Sequence, residues 1–164
     1  MSFGLTIFTF VHVALSLVGI GSGLVVVCEF LAAKQRGVWT TIFLSTTVLT
    51  SVTGFFFPVE QFMPSHAVGI VSLLVLAVAI VARYAFHLSR AWGPTYVVSA
   101  VIALYLNVFV LVVQLFQKVP ALHALAPTQS EPPFLLTQIT FLAIFVALAI
   151  VAAVKFRNQP ARVA

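Results

Sequence analysis

The side chains equipped for acid–base or ligand chemistry are few and scattered. The 164 residues contain four His, eight Lys or Arg, three Glu, no Asp and one Cys. No nucleophile stands beside a base, so the residues do not point to an enzyme. One Cys excludes a disulfide framework and any multi-thiolate metal site within one chain. Neither His-x-x-x-His nor Cys-x-x-Cys occurs. His12, His66 and His123 nevertheless fall on one side of the topology derived below. Two such imidazoles facing each other at one depth would ligate a b-type haem. A His pair with a Glu would hold copper or zinc. A quinone asks for less: a pocket of Phe and Leu, with His12, Asn107 or Gln114 bonded to a ring carbonyl. Each His also has a purely structural role open to it, as a packed donor at a helix interface or as an interfacial residue.

The elements that position these groups are membrane spans. Of the residues, 62% are hydrophobic and only 7% charged, against about a quarter charged in an ordinary soluble domain. The mean hydropathy is +1.19. That excludes a soluble enzyme, a disordered chain and a nucleic-acid-binding domain, since the net charge of +5 makes no basic face. A helix crossing ~30 Å of hydrocarbon needs roughly 20 apolar residues. Stretches at about 5–27, 38–57, 67–86, 95–116 and 134–154 meet that need. None alternates as a membrane β-strand does, and backbone groups in lipid must bond internally. The expectation is an all-α integral membrane protein: one domain over 1–164 with five transmembrane helices. The connections at 28–37, 58–66 and 87–94 are short, which predicts an up-down antiparallel bundle. The stretch 117–133 is longer and Pro-rich, fit for a lid, a short interfacial helix or a plain connector.

Orientation follows from Lys and Arg. With the N-terminus outside and the C-terminus inside, Lys34, Arg36, Arg83, Arg90, Lys155, Arg157 and Arg162 are inner and only Lys118 is outer. The first span has no basic n-region and is too long for a signal-peptide core. Val27 before Cys28 is larger than the residue a lipoprotein cleavage site takes there. Near the inner edge, Arg83 and Glu29 are expected to pair, or else Glu29 with Lys34 or Arg90, because an unpaired charge there must snorkel or find a partner.

The helical period sorts the polar residues into faces. His12, Ser16, Gly19 and Gly23 form one stripe on the first span, ready for close packing. Thr46, Thr50 and Thr53 form a column on the second, beside Thr47, Ser51 and Gly54. The second helix is therefore expected at the centre of the bundle. Asn107 and Gln114 share a face of the fourth span. At ~1.5 Å per residue, His12, Thr50 and Asn107 lie roughly 10–15 Å below the outer surface, and Thr53, Gln114 and Gln138 roughly 3–7 Å. His66 and Glu60 fall at the surface. These placements predict a polar funnel among the first, second, fourth and fifth spans, covered by 117–133. Its candidate ligand residues are His12, Thr50, Asn107, Gln114 and Gln138. Helix-to-helix hydrogen bonding alone would also account for these groups.

The segment Leu122-His123-Ala124-Leu125-Ala126-Pro127-Thr128-Gln129-Ser130-Glu131-Pro132-Pro133-Phe134, with Ala103 to Leu111 before it, resembles small uncharacterised multi-pass proteins of bacterial inner membranes. The resemblance covers about the last hundred residues. It implies an inner-membrane location and no particular activity. Three classes remain in view. One is an inner-membrane protein whose outer-facing pocket takes an apolar, quinone-like or haem-like ligand. Another is an accessory subunit that packs on a membrane partner or a second copy through Gly19, Gly23 and the Ser/Thr face of the second helix. The last is a carrier for a small neutral solute.

Overall fold

A computed structural model describes residues 3–32, 34, 37–57 and 64–157. They form α1 (Phe3–Leu31), α2 (Gly37–Gly54), α3 (Pro64–Ile80) continued by a π-helical turn (Val81–Ala85), α4 (Trp92–Lys118), α5 (Pro120–Leu125) and α6 (Pro132–Arg157). No strand occurs among the described residues. Glu60, Arg36 and Arg162 lie outside them.

Four segments are long and apolar enough to cross a membrane: Gly4–Leu31, His66–Ala85, Trp92–Lys118 and Pro132–Arg157. The second expected span is not among them. Its helix, α2, has 18 residues, and six Thr and two Ser dilute its apolar content. Several of these hydroxyls bond back to their own helix. Thr41 donates to the Gly37 carbonyl at 2.9 Å, Thr46 to Ile42 at 2.7 Å and Thr53 to Leu49 at 2.7 Å. Such bonds remove the cost of the hydroxyl in an apolar setting without needing a neighbour.

The helix at the centre is α4, not α2. Tyr96, Val97, Ala100, Val101, Ala103 and Leu104 of α4 are essentially inaccessible, and α4 packs against α1, α3, α5 and α6. Its small residues let neighbours approach on several sides, whereas α2 buries one stripe, Thr40, Phe43, Leu44, Thr47, Thr50 and Ser51. Neighbours α1–α2, α2–α3 and α3–α4 pack in chain order, and α4 closes on α1. The result is a four-helix ring in which α2 and α4 stand diagonally opposed. Helix α6 packs outside the ring, on α4 and α1.

Glycines set the spacing in one half of the ring. A Cβ on Gly19 would lie 3.2 Å from the Oγ1 atoms of Thr46 and Thr47 and 3.4 Å from Asn107 Nδ2. A Cβ on Gly23 would lie 2.7 Å from Leu104 Cδ1 and 2.9 Å from the Phe43 ring. The small stripe of α1 therefore faces α2 and α4, and backbone contact replaces side-chain bulk.

The ends of α1 and α6 meet at one end of the bundle. Lys155 Nζ donates to the Leu31 carbonyl at 3.0 Å, satisfying an orphan acceptor at a helix C-terminus. The Phe30 ring stands edge-on to Tyr96 and Phe156, at 5.6 and 6.4 Å between centroids. Arg83, in the π-helical turn, holds its guanidinium 5.4 Å from the Tyr96 ring and 5.7 Å from the Tyr84 ring. Glu29 lies near the same end, on the last turns of α1. The following turn carries His87, Leu88 and Arg90 at positive φ, a strained conformation for side-chain-bearing residues. Phe86 stacked on Trp92 at 4.0 Å closes over it.

Gly23→Val is expected to destabilise the bundle by about 1–3 kcal/mol, because Leu104 and Phe43 are buried and cannot yield. Gly21→Val, where a Cβ would meet nothing within 4 Å, is expected to leave the unfolding midpoint in detergent nearly unchanged.

Candidate functional site

Within the four-helix ring lies a cavity of about 440 Å³. It occupies the half of the bundle away from the Lys155–Leu31 junction. Nine of its 21 lining residues are Leu, Val or Phe, and its ten polar residues come from all four helices.

From α1 come His12 and Ser16. His12 Nδ1 is 2.8 Å from Thr53 Oγ1. The Thr53 hydroxyl also lies 2.7 Å from the Leu49 carbonyl and 3.2 Å from the Thr50 carbonyl. Its one hydrogen serves one of these acceptors or His12 Nδ1, and the imidazole tautomer decides which of Thr53 and His12 donates. The edge of the Phe57 ring, 5.0 Å away, fixes the imidazole plane.

From α4 come Asn107, Gln114 and Lys118. Asn107 is buried at 8% exposure, and its Nδ2 donates to Thr47 Oγ1 at 3.3 Å. The glycine at position 19 leaves room for this bond beneath the cavity. From α2 come Thr50 and Ser51. Ser51 donates to Ser72 of α3 at 3.1 Å, tying one wall together. Thr50 behaves differently from its neighbours. It is 8% exposed and lines the cavity, yet its hydroxyl has no hydrogen-bond partner among the described residues.

The structure thus brings His12, Thr50, Asn107 and Gln114 to one cavity. Gln138 is not there. It is buried between α6 and α4, where Nε2 donates to the Phe109 carbonyl at 3.3 Å. The expected fifth-span wall is replaced by α3, because α6 sits on the outside of α4. His66, in the first turn of α3, also belongs to the site: it is buried at 8% exposure and lines the cavity, with its ring 5.7 Å from that of Phe55. His66, Gly69 and Ser72 recur every three residues along the start of α3, a polar stripe that was readable but unused.

His123 lies on the exposed α5, outside the cavity. No group of three or more His, Cys, Asp or Glu able to hold a metal occurs among the described residues. The stretch 117–133 is not a lid in this state. Apart from Lys118, it lines none of the cavity. It folds along α4 instead, with Gln129 Nε2 donating to the Val113 carbonyl at 2.9 Å. Its end starts α6 cleanly: Glu131 O accepts from the Phe134 amide at 3.1 Å, and Pro132 and Pro133 occupy positions that need no N–H. Partial loss of solvent raises the Glu131 carboxyl pKa. Hydrogen bonds from the Thr128 hydroxyl and nearby amides outweigh this and hold it below its ordinary value of 4.5.

Comparison of the chain with protein-family models, curated proteins and solved structures found no match.

Thr50→Val removes an unpartnered hydroxyl at nearly constant volume. Its unfolding midpoint in detergent is expected to stay level or rise, by no more than about 1 kcal/mol. The Glu131 turn should respond to acid. A depressed folded-state pKa contributes stability above the unfolded value that is lost as pH falls through the folded one. Amide-exchange protection of Thr128 and Ser130 is therefore expected to fall as pH drops below 4.5.

Proposed function

We propose that this chain is a small integral membrane protein that holds an apolar molecule with a hydrogen-bonding head, of quinone-like or haem-like chemistry, in the cavity between α1 and α4. One observation carries the reading. Thr50 keeps a buried hydroxyl free beside the cavity, while Thr41, Thr46 and Thr53 of the same helix satisfy theirs on the backbone. A buried polar group without a partner costs free energy that a bound ligand would recover once the Thr50 side chain turned toward it. Ten of the 21 lining residues are polar, His12, Asn107 and Gln114 among them, set between Leu, Val and Phe. Apolar lining with convergent polar groups is what small-molecule pockets share.

The same reading sets α2 across the membrane as a fifth span, supported by the burial of Thr40, Thr47, Thr50 and Ser51 against protein and by the backbone bond of the exposed Thr41. The N-terminus is outside and the C-terminus inside a bacterial inner membrane. Among the described residues, Lys34, Arg83, Arg90, Lys155 and Arg157 gather at the α1 and α6 C-terminal end, and Lys118 alone marks the other. The positive-inside rule makes the first end cytoplasmic and puts the cavity in the outer leaflet. The accessory-subunit alternative loses the surface it was read from, since Gly19, Gly23 and the α2 stripe are used inside the bundle.

Purification in mild detergent, followed by a visible spectrum and mass spectrometry of an organic extract, tests the ligand. A co-purifying quinone, or the Soret band of a haem, is expected with the wild type and reduced with Thr50→Val and with Asn107→Leu. Ligand-free protein, or equal retention by both variants, overturns the reading. Tags at the N-terminus and in 126–131 are expected to report the outer side, and a C-terminal tag the inner side.

A further inference from the structure

We infer that the cavity is loaded sideways from the bilayer, through a seam between the N-terminal half of α1 and the C-terminal half of α4. Its ligand is then a membrane-dissolved amphiphile of the isoprenoid-quinone class, not a solute arriving from water. The inference rests on the ligand reading above and adds its route and source.

The seam follows from where α1 and α4 touch. They meet at Gly19 with Asn107, at Gly23 with Leu104 and at Phe30 with Tyr96. All three contacts lie at the cavity floor or beyond it, toward the basic end. On the other side of Gly19 the two helices present cavity wall to each other: Thr9, His12, Val13, Ser16 and Leu17 on α1, and Val110, Gln114 and Lys118 among others on α4. Several side chains that line the cavity there keep a large exposed surface. Val13 is 43% exposed, Leu17 52% and Leu115 40%.

The neighbour best placed to cover the seam is α6, and it does not. Near the basic end α6 touches α1, through Lys155 with Leu31 and Phe156 with Phe30. Toward the other end its contacts go to α4, through Gln138 with Phe109 and Phe134 with Phe116. No α6 residue lines the cavity.

The chemistry of the lips selects what passes. Val13, Leu17 and Leu115 are branched aliphatics, matched to acyl chains and poor at wetting a passage. Lys118, exposed at the end of α4, sits where a long basic side chain reaches the headgroup level. The size of the cavity argues the same way. A volume of about 440 Å³ lies in the lower part of the range of roughly 300–1,000 Å³ for small-molecule pockets. It accommodates a substituted ring and the first units of a tail. The rest of an isoprenoid chain must leave the cavity, and the seam lets it do so into lipid.

The test uses the full chain in vesicles of phosphatidylcholine with phosphatidylglycerol. Two photoreactive azidoquinones share one head; one carries a decyl tail and the other none. Labelled peptides are mapped by mass spectrometry over a time course. With the wild type, the tailed probe is expected to label the α2 and α4 segments around Thr50 and Asn107. Leu17→Trp and Leu115→Trp, both on exposed positions, are expected to slow that labelling about tenfold, a barrier change of one decade. The tail-less probe should be slowed far less. Leu17→Ala with Leu115→Ala should speed the tailed probe, so the route stays testable if a Trp variant misfolds. Equal tailed-probe rates in wild type and all seam variants overturn the lateral route while leaving the pocket in place. Preferred labelling by the tail-less probe also overturns it. Failure of both probes to label any cavity segment overturns the pocket reading and the route together.

Discussion

A hydroxyl or amide inside an apolar bundle has no water to return to, so each must find a partner in the protein. In this chain the burden falls on α2, and the way it is met organises the rest. Thr53 is hydrogen-bonded to His12 of α1. Ser51 bonds Ser72 of α3. Thr47 accepts from Asn107 of α4, and Thr40 accepts from the Tyr96 hydroxyl at 3.4 Å. A helix with marginal apolarity thus bonds to every other member of the ring. Each bond of this kind is worth only ~0.6–2 kcal/mol, but together they set the rotation of α2, which a uniformly greasy helix would leave open.

Close approach does the complementary work. Gly19 and Gly23 let α1 settle on Thr46, Thr47, Phe43 and Leu104, so one half of the ring is packed without space. Toward the other half the stripe continues in Ser16 and His12, which line the cavity. A hydrogen bond between His12 and Thr53 joins α1 to α2 at that level, so the cavity lies above a densely packed floor.

Much of this was legible, and the failures have a common cause. Helical periodicity gives rotation within one helix, so the His12–Ser16–Gly19–Gly23 stripe and the Asn107–Gln114 face were read correctly as faces. Depth along a span follows from counting residues. What neither supplies is the order of helices around the bundle. Gln138 has the right depth, but α6 is reached through a long connection and packs on the far side of α4. Depth alone also left His66 out of the site residues, although the first turn of α3 turns it into the cavity beside Phe55. The central place of α4 was missed because small residues, not polar ones, mark it. Ser99, Ala100 and Ala103 admit neighbours from several directions, whereas α2 buries Thr40, Thr47, Thr50 and Ser51 on one side and leaves Thr41 and Ser45 exposed.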